Sequence, residues 1–121
     1  MKHFDMEEFA CKCCGELPAN GRNPVLLEAL DLLREEYGKP IYVSSGWRCP
    51  SHNAAVGGVP DSQHVLGNAA DIYVDGDYEE FYNLVLDMEL FDGVGHYPTQ
   101  EFAHADMRLN GIAPNEYQWE G

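Results

Sequence analysis

The chain of 121 residues has the length of one ordinary domain, and its 45% hydrophobic and 23% charged residues are typical of a globular protein. A formal net charge of -14, from 21 acids against 7 bases, repels polyanions, so no nucleic-acid partner is expected and the scattered acids read as a solvated surface. No apolar run nears the roughly 20 residues that cross a bilayer, and the opening MKHFDMEEFACKCCGEL has no uninterrupted apolar segment of the secretory kind; a single monomeric domain over 1–121, cytoplasmic as encoded, is expected.

Cys11, Cys13 and Cys14 crowd near the start, and Cys49 stands alone in GWRCPSHN. Structural zinc sites favour paired C-x-x-C spacing, which CKCC lacks, so the four are expected to be reduced thiols acting as small buried side chains with reactive potential. A disulfide from Cys49 to one of the other three would need the N-terminal arm to pack near the WRCP turn, and a cytoplasmic setting argues against it. NPVLLEALDLLREEYGKP then reads as a helix, with Asn23 as cap, proline at the first helical position and glycine at the far end. Leu26, Leu30, Leu33 and Tyr37 share one apolar face.

IYVSSGWR reads as a strand over 41–44, ending in a Ser-Gly turn that presents Trp47 and Arg48. The turn-rich PSHNAAVGGVPDSQH follows, with Ser51 placed to cap one short helical turn. In SQHVLGNAAD, His64 and Asp71 stand two helical turns apart, but Gly67-Asn68 argues against a helix running through. A loop that folds His64 back toward Asp71, at the start of a strand over 70–74, is expected instead. In DGDYEEFYNLVLDMELF, Asp77 and Glu80 form a capping box, and Phe81, Leu84, Val85 and Met88 form one stripe. GVGHY and EFAHADMRL read as two further strands joined by a turn at Pro98. The sum is an α+β domain: two main helices beside a small, mostly antiparallel sheet of about four strands.

In EFAHADMR, period two puts Phe102, His104, Asp106 and Arg108 on one strand face and Ala103, Ala105 and Met107 on the other. A solvent-facing row of this kind would be ordinary by itself. Combined with the earlier motif, it supplies His64, Asp71 and His104: two imidazoles and a carboxylate, the three-ligand set that catalytic zinc uses while keeping a position for water. Zinc lowers the pKa of its bound water to about 7 and polarises a carbonyl. Glu101, three residues before His104, is the candidate to take that water's proton. A regular strand would separate the two at this odd spacing, so the role requires a bulge or bend after Pro98.

The patterns S-x-H-x-x-G-x-A-x-D, here SQHVLGNAAD, and E-x-x-H-x-D, here EFAHAD, resemble the zinc D-Ala-D-Ala carboxypeptidase family of cell-wall peptidases, which shares its metal-site fold with Hedgehog domains. The resemblance takes in PIYVSSGWRCPSHNAAVGG and GVGHYP and covers about residues 8–108. It implies a Hedgehog/DD-peptidase-like fold, with His64, Asp71 and His104 as Zn2+ ligands and Glu101 as general base. Arg48 matches an arginine that binds substrate or stabilises the oxyanion, as a guanidinium beside zinc can. Ser62 matches a serine at the substrate pocket, Asp106 matches an acid that orients a ligand histidine, and His96, at a position where relatives vary, is a further candidate pocket residue.

The implied activity is zinc-dependent hydrolysis of peptidoglycan or muropeptide stem peptides, first as a D-Ala-D-Ala carboxypeptidase. An L-Ala-D-Glu endopeptidase of phage-lysin type is the nearest alternative. A non-catalytic, zinc-stabilised binding module is the alternative outside enzymes. The usual substrate lies outside the cytoplasm, which a truncated form, a phage or prophage lysin, or an enzyme for imported muropeptides would each reconcile. The CKCCG segment has no part in this chemistry.

Overall fold

The computed structural model describes residues 4, 6–15, 23–58, 62–107 and 114–121, so Arg108 lies outside the described residues. Helix α1, Pro24–Tyr37, begins where the Asn23 side chain accepts the Val25 and Leu26 amides, and it stops at Gly38 with φ 75°, a left-handed backbone that glycine adopts without strain. After strand β1, Tyr42–Ser45, comes the short helix α2, Pro50–Ala55. Its cap is Cys49, whose sulfur accepts the His52 amide, and not Ser51 as the sequence suggested. Pro50 is the reason, since proline favours the first helical position and so draws the start two residues earlier.

Strand β2, Ala69–Tyr73, leads to helix α3, Tyr78–Asp87, where the Asp77 carboxylate accepts the Glu80 amide. Strands β3, Gly93–Tyr97, and β4, Phe102–Asp106, form a hairpin through the turn at 98–101. A fifth strand, β5, Tyr117–Glu120, was not anticipated. It is polar, largely exposed and only four residues long, so it lacks the apolar alternation by which strands are recognised. The arm at the other end of the chain contributes a 3-10 turn, Met6–Phe9.

The sheet order is β1-β2-β4-β3-β5, antiparallel except for the β3–β5 pair. Its two faces have different fates. Ala70, Ile72, Val94, Ala103 and Ala105 point to one side, where Leu26, Leu30 and Leu33 of α1 and Phe81 and Val85 of α3 cover them completely or nearly so. This is the core, and the helical stripes read from the sequence supply it. Emptying it at the fully buried Phe81 by substitution with alanine would cost about 3–5 kcal/mol. The small alanines let the helices approach the sheet closely.

The opposite side carries Asp71, His104 and Asp106, which the register sets out cross-strand: Asp71 opposite His104, Gly95 opposite His104 and Gly93 opposite Asp106. A break in register between Val43 and Ser45 brings Ser45 opposite Asp71 at the same place. Among the described residues no helix is long and apolar enough to cross a membrane. The cysteines depart from expectation: Cys11 is buried, but Cys13 and Cys14 are exposed and Cys49 is half-buried. They are gathered by the packing of the arm against residues 46–49, with only Cys11 fully buried.

Candidate metal centre

His64 is held by a run of turns over 63–67 in which the Val65 and Leu66 amides bond to the Ser62 carbonyl and the Asn68 amide bonds to that of Gln63. Gly67, at φ 80°, ends the turn, so the chain reverses where Gly67-Asn68 was expected to break a helix. The loop is fastened to the segment after β1: the Arg48 amide donates to the His64 carbonyl at 3.2 Å and the Trp47 indole N–H to the Val65 carbonyl at 2.9 Å. Asn23 adds a brace, its amide nitrogen donating to both Asn68 Oδ1 and the Met107 carbonyl at 3.1 Å. The cap of α1 thus also fixes the relation between the His64 loop and the end of β4.

His64 Nε2, His104 Nδ1 and Asp71 Oδ1 converge, with separations of 3.1, 3.2 and 3.2 Å. All three residues are buried. The remaining ring nitrogens are occupied from behind. His64 Nδ1 lies 2.7 Å from the Gly46 carbonyl, which can only accept, so that nitrogen carries a hydrogen. His104 Nε2 lies 2.7 Å from the fully buried Asp106 carboxylate and donates to it. In their neutral forms both imidazoles therefore turn a lone pair toward Asp71 Oδ1, and three acceptors facing one point require a cation among them.

The charges agree. Burial alone would raise the Asp71 carboxyl, yet a proton taken up on the facing nitrogen of His104 or His64 donates to it, outweighs that burial and holds its pKa well below the usual carboxylate range. Burial alone would lower His104, but its bonds to Asp106 and Asp71 lift it above the ordinary histidine value. A site with this balance takes up positive charge, either a proton on His104 or a metal ion shared by all three. Two nitrogens and one oxygen, with the back of each ring secured, are a donor set that zinc accepts. Gly93 makes room for this support: a Cβ there would stand 2.4 Å from an Asp106 carboxylate oxygen.

The converging atoms line a cavity of about 440 Å³ whose wall also includes Arg48, Ser62, Tyr97, Phe102 and Trp119. Arg48 donates to Asp71 Oδ2 at 3.3 Å, to Ser45 at 3.1 Å and to Asn53 at 3.4 Å, which ties it to the metal-side carboxylate. Ser62 uses its hydroxyl to accept the His64 amide at 3.2 Å. Two other residues singled out from the sequence are not brought to the cluster. His96 pairs with Ala103 and so faces the helix side, stacked on Tyr82 at 4.0 Å and bonded to the Tyr78 hydroxyl, and it does not line the cavity. Glu101 has the backbone irregularity its role demands, φ 58° at the end of the β3–β4 turn, but it is exposed and does not line the cavity.

Trp119 was missed with its strand. Its ring lies 4.8 Å from that of His104, over Gly95, and its N–H donates to the Tyr97 hydroxyl at 2.9 Å. Tyr97 in turn stacks on Phe102 at 4.4 Å, which gives the cavity an aromatic wall. A lone tryptophan in an otherwise polar C-terminal stretch was the one available signal.

A family model described as peptidase M15 matches residues 2–106. This chain belongs to the peptidase M15 family. The resemblance read from SQHVLGNAAD and EFAHAD is borne out, and the M15 chain is a metallopeptidase of a zinc-dependent family of the D-Ala-D-Ala carboxypeptidase type. Among curated proteins none matches it. His64, Asp71, His104 and Arg48 all fall within the matched residues of the M15 domain, whereas β5 and its Trp119 lie beyond them.

Proposed function

We propose that this M15 domain hydrolyses peptide bonds in peptidoglycan stem peptides, with a terminal D-Ala-D-Ala as its substrate. The observation that carries the reading is the convergence of two outward-turned imidazole lone pairs and an ionised carboxylate in the wall of a solvent-accessible cavity. His64, His104 and Asp71 would hold a zinc ion there, which polarises the scissile carbonyl and acidifies a water when bound.

The chain's own residues supply the rest. Asp71 and Asp106 are both committed to histidines, and the E-x-x-H spacing assigns proton transfer to Glu101, which stands on the exposed turn just before β4. Arg48 lines the cavity, and its contacts of 3.1 to 3.4 Å are longer than good charge-assisted bonds, which run about 2.7–2.9 Å. It therefore keeps capacity for a further anionic partner, either the developing oxyanion or the terminal carboxylate of a stem peptide. Asp106 orients His104, and the Tyr97, Phe102 and Trp119 wall flanks the peptide on the side of His104.

The test is to incubate the zinc-loaded protein with a synthetic stem pentapeptide and follow the products by mass spectrometry. Release of free D-alanine is the expected result. Cleavage between L-Ala and D-Glu would replace the carboxypeptidase by an endopeptidase, and retention of zinc with no cleavage of any stem peptide would leave a binding module.

A further inference from the structure

A second cluster of potential ligands lies away from the cavity wall and has no part in the peptidase reading. The sulfurs of Cys11, Cys13, Cys14 and Cys49 all lie within 4.8 Å of one another, and none is in a disulfide. Cys11 and Cys13 are 3.7 Å apart at sulfur, and Cys13 and Cys49 are 3.2 Å apart. Four thiolates around a zinc ion at about 2.3 Å stand about 3.8 Å from one another in a regular tetrahedron. The observed spacing suits that arrangement far better than a covalent bond, which needs about 2.05 Å.

The surroundings of the sulfurs suit it too. Cys11 Sγ accepts the Cys49 amide and Cys49 Sγ accepts the His52 amide, both at 3.4 Å. Amide hydrogens directed at sulfur stabilise the thiolate form that a metal requires. The arm is bent to deliver its three cysteines by a turn in which the Gly15 amide bonds to the Cys11 carbonyl at 2.7 Å, with Gly15 at φ 70°. Cys13 and Cys14 are exposed, so burial of apolar surface does not explain why the arm places them there.

We propose that Cys11, Cys13, Cys14 and Cys49 bind a second zinc ion in a closed, structural tetrathiolate site, each thiol giving up its proton to solvent as the metal enters. With all four positions filled by protein, the site has no place for substrate or water. Its effect is to fasten the arm to the segment that serves the cavity. The Trp47 amide donates to the Phe9 carbonyl at 2.8 Å, and Gly46 lies so close to the arm that a Cβ would stand 2.6 Å from Phe9 Cα. Gly46 presents its carbonyl to His64, and Arg48 immediately precedes Cys49. The tetrathiolate thus holds the backbone that orients one ligand histidine and the cavity's arginine.

The experiment uses the whole chain, purified under reducing conditions and supplied with zinc. An organomercurial reagent, which displaces metal only from thiolates, should release one equivalent of zinc to an indicator dye, while a second equivalent stays until a chelator removes it. Cobalt substitution should show the intense near-ultraviolet sulfur-to-cobalt bands of thiolate ligation. Both signals should vanish in Cys13→Ser while the mercurial-resistant zinc remains. Should that variant fail to fold, the mercurial titration and cobalt spectrum of the wild type still decide the matter. Absence of mercurial-released zinc and of charge-transfer bands overturns the proposal and leaves the peptidase reading untouched.

Discussion

Two groups of ligands stand in one small domain, and they are built in opposite ways. His64, Asp71 and His104 are buried, and two of them come from neighbouring strands whose ladder sets Asp71 directly opposite His104. Each donor is held from behind, by the Gly46 carbonyl, by Asp106 and by Arg48. The four cysteines sit at the edge, three of them on a short arm, two of them exposed, with backbone amides as their visible support. The comparison teaches that the number of donors and their backing separate the chemistry. Three donors supported by buried polar groups leave one side to a substrate, whereas four donors at a surface turn close around an ion and join two segments.

The contrast is broken most forcefully at His104. His104→Ala should lose the metal of the sheet site and bring turnover to background, with the mercurial-released zinc unaffected; zinc analysis on the variant checks both halves. Glu101→Gln comes next, with turnover expected to fall by about 10²–10⁴. Zinc content should stay as in the wild type, and loss of metal in that variant would make Glu101 a ligand and not a base. For Arg48→Ala we expect a decrease in kcat of about 10²–10³, the usual effect of removing one oxyanion donor, with both metals retained. Unchanged kinetics would take Arg48 out of the reaction.

Gly93→Ala sharpens the role of support. The added Cβ must displace the Asp106 carboxylate from beside His104, so affinity at the sheet site should drop about 10–100-fold while the sulfur site is unchanged. Competition with a chelator of known affinity measures it. The smallest effect concerns acid. In chelated protein the depressed pKa of Asp71 adds stability that is present above the unfolded carboxylate value of about 3.9 and is lost as the pH falls from there through the lower folded value. The stability gap between wild type and Asp71→Asn, read from chemical denaturation, should therefore narrow below about pH 4. A gap constant with pH would show that Asp71 is not held ionised by its histidines.

Much of this was readable along the chain because the signals are local. The Asn23 cap, Gly38 stop and Leu26–Leu30–Leu33 stripe of α1 each act within a few residues, as do Asp77 and the alternation of EFAHAD. What stayed hidden acts across the sheet. Short, polar β5 exists because β3 offers it an edge, and only that pairing brings Trp119 against His104. The spacing of CKCC gave a poor match to zinc motifs because the fourth sulfur comes from Cys49, placed by the contact of the arm with Gly46.

By itself the sequence determined the fold class, the two main helices, the residues eligible to bind metal and the family, since patterns of period two and 3.6 and short motifs are properties of neighbouring residues. The tertiary structure alone decided which eligible residues meet. It put His96 on the helix side, left Glu101 exposed, aimed His64 Nε2 and His104 Nδ1 at one point and drew Cys49 to the three thiols of the arm. The physical reason is that ligation and proton transfer depend on distances of a few ångströms and on what stands behind each donor, and these are set by strand register, backbone contacts and burial that no stretch of chain contains alone.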